Sequence, residues 1–377
     1  MVFTADDNRF MSRALELAEK GRYSTKPNPC VGCVLVQGGQ IVAEGWHQKA
    51  GESHAEVVAL KQAGSLALGA TAYVTLEPCS HHGRTPPCAE ALIKAGVAKV
   101  VVAMKDPNPL VSGRGIAALR EAGIDVSIGL LQEQAAKLNK AYCIKMKSSK
   151  PHIISKVAMS LDGKTAMASG ESQWITDVPA RQDVHRLRAE VDAVLTGVGT
   201  ILADDPQLSA RDGLVDLMVT QPRIIVIDSK LKTPLEAAIL ANETNVTILT
   251  CSTDDYKAKA LRKAGCRVEV LPSNKRGRVD LPAVDKWLAV QSINSVLIEA
   301  GAVLNGACLN AGMIDELVIY IAPSVLGSAA RGAFAINDLT ELSDRIQLSF
   351  VGMEAIGTDI KLSYRAKLDR KSKRDRK

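Results

Sequence analysis

Aromatic residues make up only 3% of the 377 positions, and no apolar run approaches the ~20 residues that a membrane helix needs. The first scarcity removes the stacking platforms on which single-stranded nucleic acids are read, and the second removes a membrane-spanning role. The body of the chain also lacks an excess of either charge. The formal charge of +6 is carried by residues 365–377, which hold eight Lys or Arg against two Asp. A basic end with few apolar residues is read as a solvated, disordered tail, and the neutral body offers no basic groove for a polynucleotide. The opening residues are not expected to act as a secretory leader either, because they show no basic stretch followed by an apolar one. Phe10, Met11, Ala14, Leu15 and Ala18 instead recur at helical spacing, with Thr4 or Asp6 available as the cap. Eight cysteines without a leader point to a reducing compartment, by default the cytoplasm, where cysteines serve as metal ligands more readily than as disulfides.

What is present reads as two α/β domains. A chain of 377 residues exceeds the size at which one core usually stops growing. In the first part, helices near 6–20, from 54, after Pro86 and Pro87, and near 114–122 alternate with strands at 31–37, 41–45, 71–77, 99–104 and 124–128. That alternation predicts a three-layer domain over 1–147, ended by a polar linker at 145–151. The pattern restarts with strands at 152–159, 192–196, 223–228, 246–250, 267–271, 295–299 and 316–322, interleaved with helices near 178–190, 257–264, 282–291 and 303–311, before a late hairpin. This predicts a second α/β domain over 148–366 with a largely parallel sheet, and leaves 367–377 as the tail.

The chemistry of the first domain lies in His54-Ala55-Glu56, Pro78-Cys79 and Cys88. His54, Cys79 and Cys88 supply three ligands, and three protein ligands leave the fourth position of a zinc ion to water, as in catalytic sites. Glu56 stands two residues beyond the histidine, where it can take a proton from that water and return it to departing ammonia. His-x-Glu followed by Pro-Cys-x-x-Cys is the signature of zinc nucleobase deaminases. The competing reading is a closed structural site with a fourth ligand from Cys30, Cys33, His81 or His82, which leaves Glu56 without a task. The chain departs from the signature in one respect: eight residues, not two, separate Cys79 from Cys88. Within them His81 and Arg84 place cationic groups beside the metal, suited to a phosphate on the substrate.

The run Pro-Cys-Ser-His-His-Gly-Arg-Thr-Pro-Pro-Cys, with Pro27-Asn28-Pro29-Cys30-Val31-Gly32 and His54-Ala55-Glu56, resembles the bifunctional deaminase-reductases of riboflavin biosynthesis. That resemblance implies a cytidine-deaminase-like first domain that deaminates a diaminohydroxyphosphoribosylaminopyrimidine. The second domain then reduces the ribose of the aminouracil product with NADPH. It also implies that Asn28 and His47 line the pyrimidine pocket and that His81 and Arg84 hold the ribose phosphate.

Three clusters stand out in the second domain: 155–165 with 170–176; 186–211 around Gly197-Val198-Gly199; and Glu299-Ala300-Gly301-Ala302 running into a helix. The last reads as a strand-to-helix turn whose small residues admit a pyrophosphate to backbone N–H groups. Gly197 and Gly199 form a second turn, but position 202 is Leu, so the Rossmann G-x-G-x-x-G fails. Asp228-Ser229-Lys230 ends a strand and offers a hydroxyl and a cation for the 2′-phosphate of NADP. The clusters, in this order, resemble the reductase half of the same family, which is dihydrofolate-reductase-like. By that resemblance Ala158, Trp174, Thr200, Asp204, Ser229 and Gly301, Ala302, Val303, Leu304, Asn305, Gly306 and Ala307 contact NADPH. Ser172, Arg188, Leu208, Arg211 and Glu299 then bind the substrate, the two arginines on its phosphate, while Lys156 and Asp204 stand near the reacting carbon. The expected cofactors are one Zn2+ per chain and NADPH. The expected partners are small phosphoribosylaminopyrimidines, with no nucleic acid or membrane and with assembly as a homo-oligomer.

Overall fold

The computed structural model describes residues 3–80, 87–109, 111–214, 217–241, 245–336 and 339–366. His81, Arg84 and the basic residues 367–377 lie outside the described residues. The chain divides into two compact units, Met1–Ser149 and Lys150–Lys377. No helix among the described residues is long and apolar enough to cross a membrane.

The first unit runs α1 (Ala5–Glu19), β1 (Gly32–Gln37), β2 (Gln40–Trp46), α2 (Ala55–Ala63), β3 (Thr71–Val74), α3 (Cys88–Lys94), β4 (Lys99–Val102), α4 (Arg114–Glu121), β5 (Asp125–Ile128), α5 (Gln132–Leu138) and α6 (Lys140–Ser148). Of the two candidate caps for α1, Thr4 serves: its Oγ1 accepts the Asp7 N–H at 3.1 Å, and the Asp7 carboxylate accepts the Thr4 N–H at 2.9 Å. The sheet order is β2-β1-β3-β4-β5, with β3, β4 and β5 parallel and β1 antiparallel to both of its neighbours.

Alternation along the strands sends residues to opposite faces. Cys33, Leu35, Val74, Val100 and Val102 pack with Ala55, Ala59, Leu92 and Leu119 of α2, α3 and α4. Val34, Val36, Tyr73 and Val101 pack with Phe10, Met11, Leu17 and Ala135 of α1 and α5. Three layers result. Helices α5 and α6 are absent from the sequence pattern, and residues 145–148, expected as linker, form the last turn of α6, closed by Ser149 in the left-handed region. The polar residues there decorate a helix end, so the chain divides between Ser149 and Lys150.

The second unit runs β6 (His152–Ser160), β7 (Lys164–Ala166), α7 (Val178–Glu190), β8 (Ala193–Gly197), α8 (Val198–Asp204), β9 (Arg223–Ile227), β10 (Val246–Thr250), α9 (Asp255–Lys263), β11 (Arg267–Val270), α10 (Leu281–Ala289), β12 (Ser295–Ile298), α11 (Ala302–Asn310), β13 (Glu316–Ala322), β14 (Arg331–Gly332), β15 (Leu348–Ile356) and β16 (Asp359–Ala366). A nine-stranded sheet has the order β11-β10-β9-β8-β12-β6-β13-β16-β15. The seven strands from β11 to β13 are parallel, and the hairpin β15-β16 closes one edge antiparallel. Apolar clusters on both faces, around Val194, Ile224 and Ile248 on one and Leu195, Ile225 and Val296 on the other, bury the central strands twice over. This is why those strands read as continuous apolar runs. The parallel arrangement brings the carboxyl ends of β8, β9 and β12 to one side, where open α/β sheets bind ligands.

A candidate zinc centre and a candidate cofactor cavity

His54 is the N-cap of α2 and Cys88 the first residue of α3, while Cys79 lies in the loop after β3. Two close approaches bring these elements together. A Cβ at Gly45 of β2 would stand 2.3 Å from the Ala55 carbonyl, so only glycine lets the start of α2 seat on the strand. A Cβ at Gly115 would stand 1.9 Å from the Pro78 carbonyl, so glycine also lets α4 press on the loop that carries Cys79. That loop has a second tie, which the sequence did not signal. The buried Glu77 carboxylate accepts N–H groups from Asp106 (3.2 Å), Gly113 (3.0 Å), Gly115 (3.1 Å) and Ile116 (3.3 Å), placing an anion at the N-terminus of α4.

His54 Nδ1 lies 3.1 Å from Cys88 Sγ and 3.6 Å from Cys79 Sγ, and all three donor atoms fall within 4.8 Å of one another. Tetrahedral zinc, with bonds of ~2.0–2.3 Å, requires donors about 3.5 Å apart, and imidazole with two thiolates is a zinc ligand set. The residues fit the ion. The Cys88 N–H, at the start of α3, donates to Cys79 Sγ at 3.3 Å. The Cys79 thiol is pulled well below its ordinary value, first by the Cys88 thiol that donates to it, and Cys88 is correspondingly pushed up. Cys30 and Cys33 do not join this cluster, and none of the eight cysteines forms a disulfide.

Glu56 is buried in the first turn of α2, and burial pushes its carboxyl up to about 7, matched to accepting and returning a proton near neutrality. His47 stands edge-on to His54 with ring centroids 5.4 Å apart. Its Nδ1 faces the Ser53 carbonyl at 3.2 Å, which only accepts, so Nδ1 carries the proton and Nε2 accepts from the Asn28 amide at 3.1 Å. Burial keeps His47 below the ordinary histidine value and hence neutral. Asn28 and His47 thus form one hydrogen-bonded wall beside the cluster of His54, Cys79 and Cys88.

The second unit holds a cavity of about 1560 Å³ over the carboxyl ends of its parallel strands. Lys156, Ala158, Ser172, Trp174, Arg188, Thr200, Asp204, Leu208, Arg211, Ser229, Glu299 and residues 301–305 and 307 line it. At its centre Arg188 forks onto Glu299, and the Lys156 ammonium lies 3.5 Å from the same carboxylate. All three are largely buried. Glu299 is driven down to about 2 by Arg188 and Lys156 against the opposing effect of burial, and burial lowers Lys156. Asp204, the last residue of α8, accepts from Ser172 Oγ at 3.2 Å.

Two family models match the chain: "Cytidine and deoxycytidylate deaminase zinc-binding region" over residues 4–104, and "RibD C-terminal domain" over residues 151–362. The riboflavin biosynthesis protein RibD of Escherichia coli K12 is 49% identical over 364 residues, covering 94% of this chain and 98% of that protein. The solved structure of Acinetobacter baumannii RibD (form 1) superposes with a TM-score of 0.88 at 46% identity, covering 96% of this chain and 99% of that one. The chain belongs to the RibD family. A third relative, the Thermotoga maritima diaminohydroxyphosphoribosylaminopyrimidine deaminase/5-amino-6-(5-phosphoribosylamino)uracil reductase, superposes with a TM-score of 0.81 at 32% identity, over 96% of this chain and 99% of that one.

As a RibD protein, the chain is a bifunctional enzyme, with a deaminase domain that binds zinc and a reductase domain that uses NADPH. Within that frame two expectations shift. Gly306 is not on the cavity wall: it is buried in α11, where a Cβ would stand 2.3 Å from the Ala335 carbonyl, so its smallness serves helix packing. Arg188, expected on a phosphate beside Arg211, spends Nε and Nη2 on Glu299, and its Nη1 donates to the Ser209 carbonyl at 3.3 Å. Arg211 is exposed at the cavity, with Nη1 donating to Ser209 Oγ at 2.9 Å. Asn305 turns its side chain to Ala300 and Ser155. The RibD cavity also collects His185, Arg181, Lys232, Arg276, Arg278 and Arg331, which no sequence motif singled out.

Proposed function

We propose that the first unit hydrolytically deaminates diaminohydroxyphosphoribosylaminopyrimidine, and that the second reduces the ribosyl group of the resulting 5-amino-6-(5-phosphoribosylamino)uracil with NADPH. The observation that carries this reading is the convergence of His54, Cys79 and Cys88 around one point beside the buried Glu56. When bound there, zinc supplies the acidity that brings a coordinated water to a pKa of about 7. Glu56 takes the proton at its carboxylate and returns it to the amine that leaves as ammonia. Asn28 and His47 orient the pyrimidine, their hydrogen bond fixing which edge each presents, while His81 and Arg84 hold the ribose phosphate.

In the second unit the reaction adds a hydride from NADPH and one proton to the substrate, and the cofactor leaves oxidised. Lys156 is the acid that we assign to that proton, held beside Glu299 and Arg188. Ser172, Leu208, Arg211, Arg188 and Glu299 frame the substrate. Ala158, Trp174, Thr200, Asp204, Ser229 and the start of α11 from Gly301 frame the cofactor. Gly301 is the N-cap of α11, so the first N–H groups of a nine-residue helix face a pyrophosphate. The protein acts in the cytoplasm as a homo-oligomer, a state that light scattering measures directly.

The test supplies the diamino substrate and NADPH to zinc-loaded protein. Ammonia should appear and nicotinamide absorbance should fall in equal amounts. Ammonia without loss of absorbance removes the reductase reading, and no ammonia removes the deaminase reading.

A further inference from the structure

Leu208 and Arg211, two of the residues that frame the substrate, sit in a segment after α8 that belongs to no helix or strand. Among the described residues no backbone–backbone hydrogen bond engages Leu208, Ser209 or Ala210, nor the Arg211 N–H. Side chains take the place of that ladder. Gln221 Oε1 accepts the Ala210 N–H and its Nε2 donates to the Ala210 carbonyl, both at 2.9 Å. Arg188 Nη1 donates to the Ser209 carbonyl at 3.3 Å, and the Arg211 N–H donates to His185 Nδ1 at 3.2 Å. Leu208 itself is held in the left-handed region at a φ of 54°, which a leucine keeps only where its surroundings impose it.

His185 and Arg188 stand one turn apart on α7, so this helix grips the segment from one side. His185 is buried, and its Nδ1 also lies 3.1 Å from the Ser209 carbonyl, while its Nε2 lies 3.3 Å from the Asp212 carboxylate. A proton on Nδ1 alone would turn the Nε2 lone pair to a carboxylate and set two N–H groups against each other. A proton on Nε2 instead donates to Asp212 and frees Nδ1 to accept the Arg211 N–H, with the Ser209 carbonyl served by Arg188. Burial, Arg188 and Arg211 hold the imidazole below its ordinary value against the pull of Asp212, which keeps it in that neutral form at pH 7. Both ring nitrogens are thus spent on the segment, and neither is left to meet a ligand.

The Arg211 guanidinium takes its direction from the same segment. Its Nη1 donates to Ser209 Oγ at 2.9 Å and to Gln207 Oε1, so the group points where the backbone of 209–211 is set. We propose that His185 is a positioning residue of the reductase: by accepting the Arg211 N–H it fixes the backbone of 209–211, and with it the aim of the Arg211 guanidinium at the phosphate of the substrate. The proposal rests on the reductase reading, in which Arg211 meets that phosphate.

Two substitutions separate this role from packing. Asparagine can present an oxygen near the place of Nδ1, whereas glutamine carries its amide further out, towards the place of Nε2, and is nearer to histidine in volume. Steady-state kinetics of the full chain with 5-amino-6-(5-phosphoribosylamino)uracil and NADPH reads both. H185Q should raise the KM for the aminouracil about tenfold, the cost of one buried hydrogen bond left unmade, with kcat and the KM for NADPH within about twofold of wild type. H185N, which restores the acceptor, should hold the aminouracil KM within about threefold of wild type. Placed on R211A, H185Q should add less than about twofold, because the two residues act through one contact. A packing role alone predicts the reverse order, with Gln tolerated better than Asn, and the same loss with or without Arg211. Either result overturns the proposal, as does a fall in kcat at unchanged KM in H185Q, which would put His185 in the chemical step. A wild type that consumes no NADPH overturns the reductase reading, and this proposal with it.

Discussion

Arg188 and Glu299 form a two-pronged pair, with Nε 2.6 Å from Oε1 and Nη2 3.0 Å from Oε2, inside the reductase cavity. With Lys156 included, two buried cations share one carboxylate. Replacing Glu299 by Gln leaves both cations without a counter-charge, and removing one partner of a buried pair typically costs about 3–5 kcal/mol. E299Q should therefore unfold at a clearly lower urea midpoint in the second unit and lose NADPH consumption. A midpoint within error of wild type would show that solvent already screens the pair.

The same carboxylate sets an acid limb. Its folded pKa of about 2 lies below the ordinary ~4.3 of a free glutamate. The stabilisation is thus fully present above ~4.3 and is lost as the pH falls towards 2. Urea melts from pH 6 to pH 2.5 should show the wild-type protein losing stability more steeply than E299Q below pH 4.5, the two curves converging by a few kcal/mol. Parallel curves would remove Glu299 from the acid response.

How much of this was legible in sequence varies by element. The clustering of His54, Cys79 and Cys88 was, because His54-Ala55-Glu56 and Cys79 each sit within a short motif and Cys88 follows at the start of a helix. So was the parallel sheet, since doubly buried strands such as Ile224–Val226 carry no polar alternation. Helices α5 and α6 were not: Lys145 and Lys147 make residues 145–151 read as polar linker, and the stretch before them carries no clear pattern, although Ala135 and Cys143 anchor it in the core. Helix α8 was hidden behind Gly197-Val198-Gly199, which reads as a turn. Glu77 was illegible because its partners are backbone N–H groups some thirty to forty residues away, a contact that no residue pattern encodes. The cations around Ser229 meet only once β9 and the 273–279 turn are folded together.

Glu56→Gln keeps the volume and removes the proton-carrying carboxylate. Because Glu56 is not among the three clustered donors, zinc content should stay near one ion per chain while ammonia release falls by about 10²–10⁴-fold, the usual range for losing a general acid–base. Elemental analysis and an ammonia assay on one preparation measure both. Retained turnover would move the proton transfer to another group.

Gly115→Ala tests the support behind Cys79. Its new Cβ would stand 1.9 Å from the Pro78 carbonyl, so either α4 retreats or the Cys79 loop is displaced. Retreat of α4 also pulls Gly113, Gly115 and Ile116 off the Glu77 carboxylate. Either way the zinc donors lose their spacing, and the variant should surrender zinc to a chelator at least about tenfold faster than wild type, as happens when the supports of ligands are removed. G123A is the control: Gly123 has open space around its Cβ position but a positive φ, so it carries backbone strain without touching the loop. Zinc loss from G123A as fast as from G115A would assign the effect to general destabilisation. Fast loss from G115A alone ties it to the contact between Gly115 and Pro78.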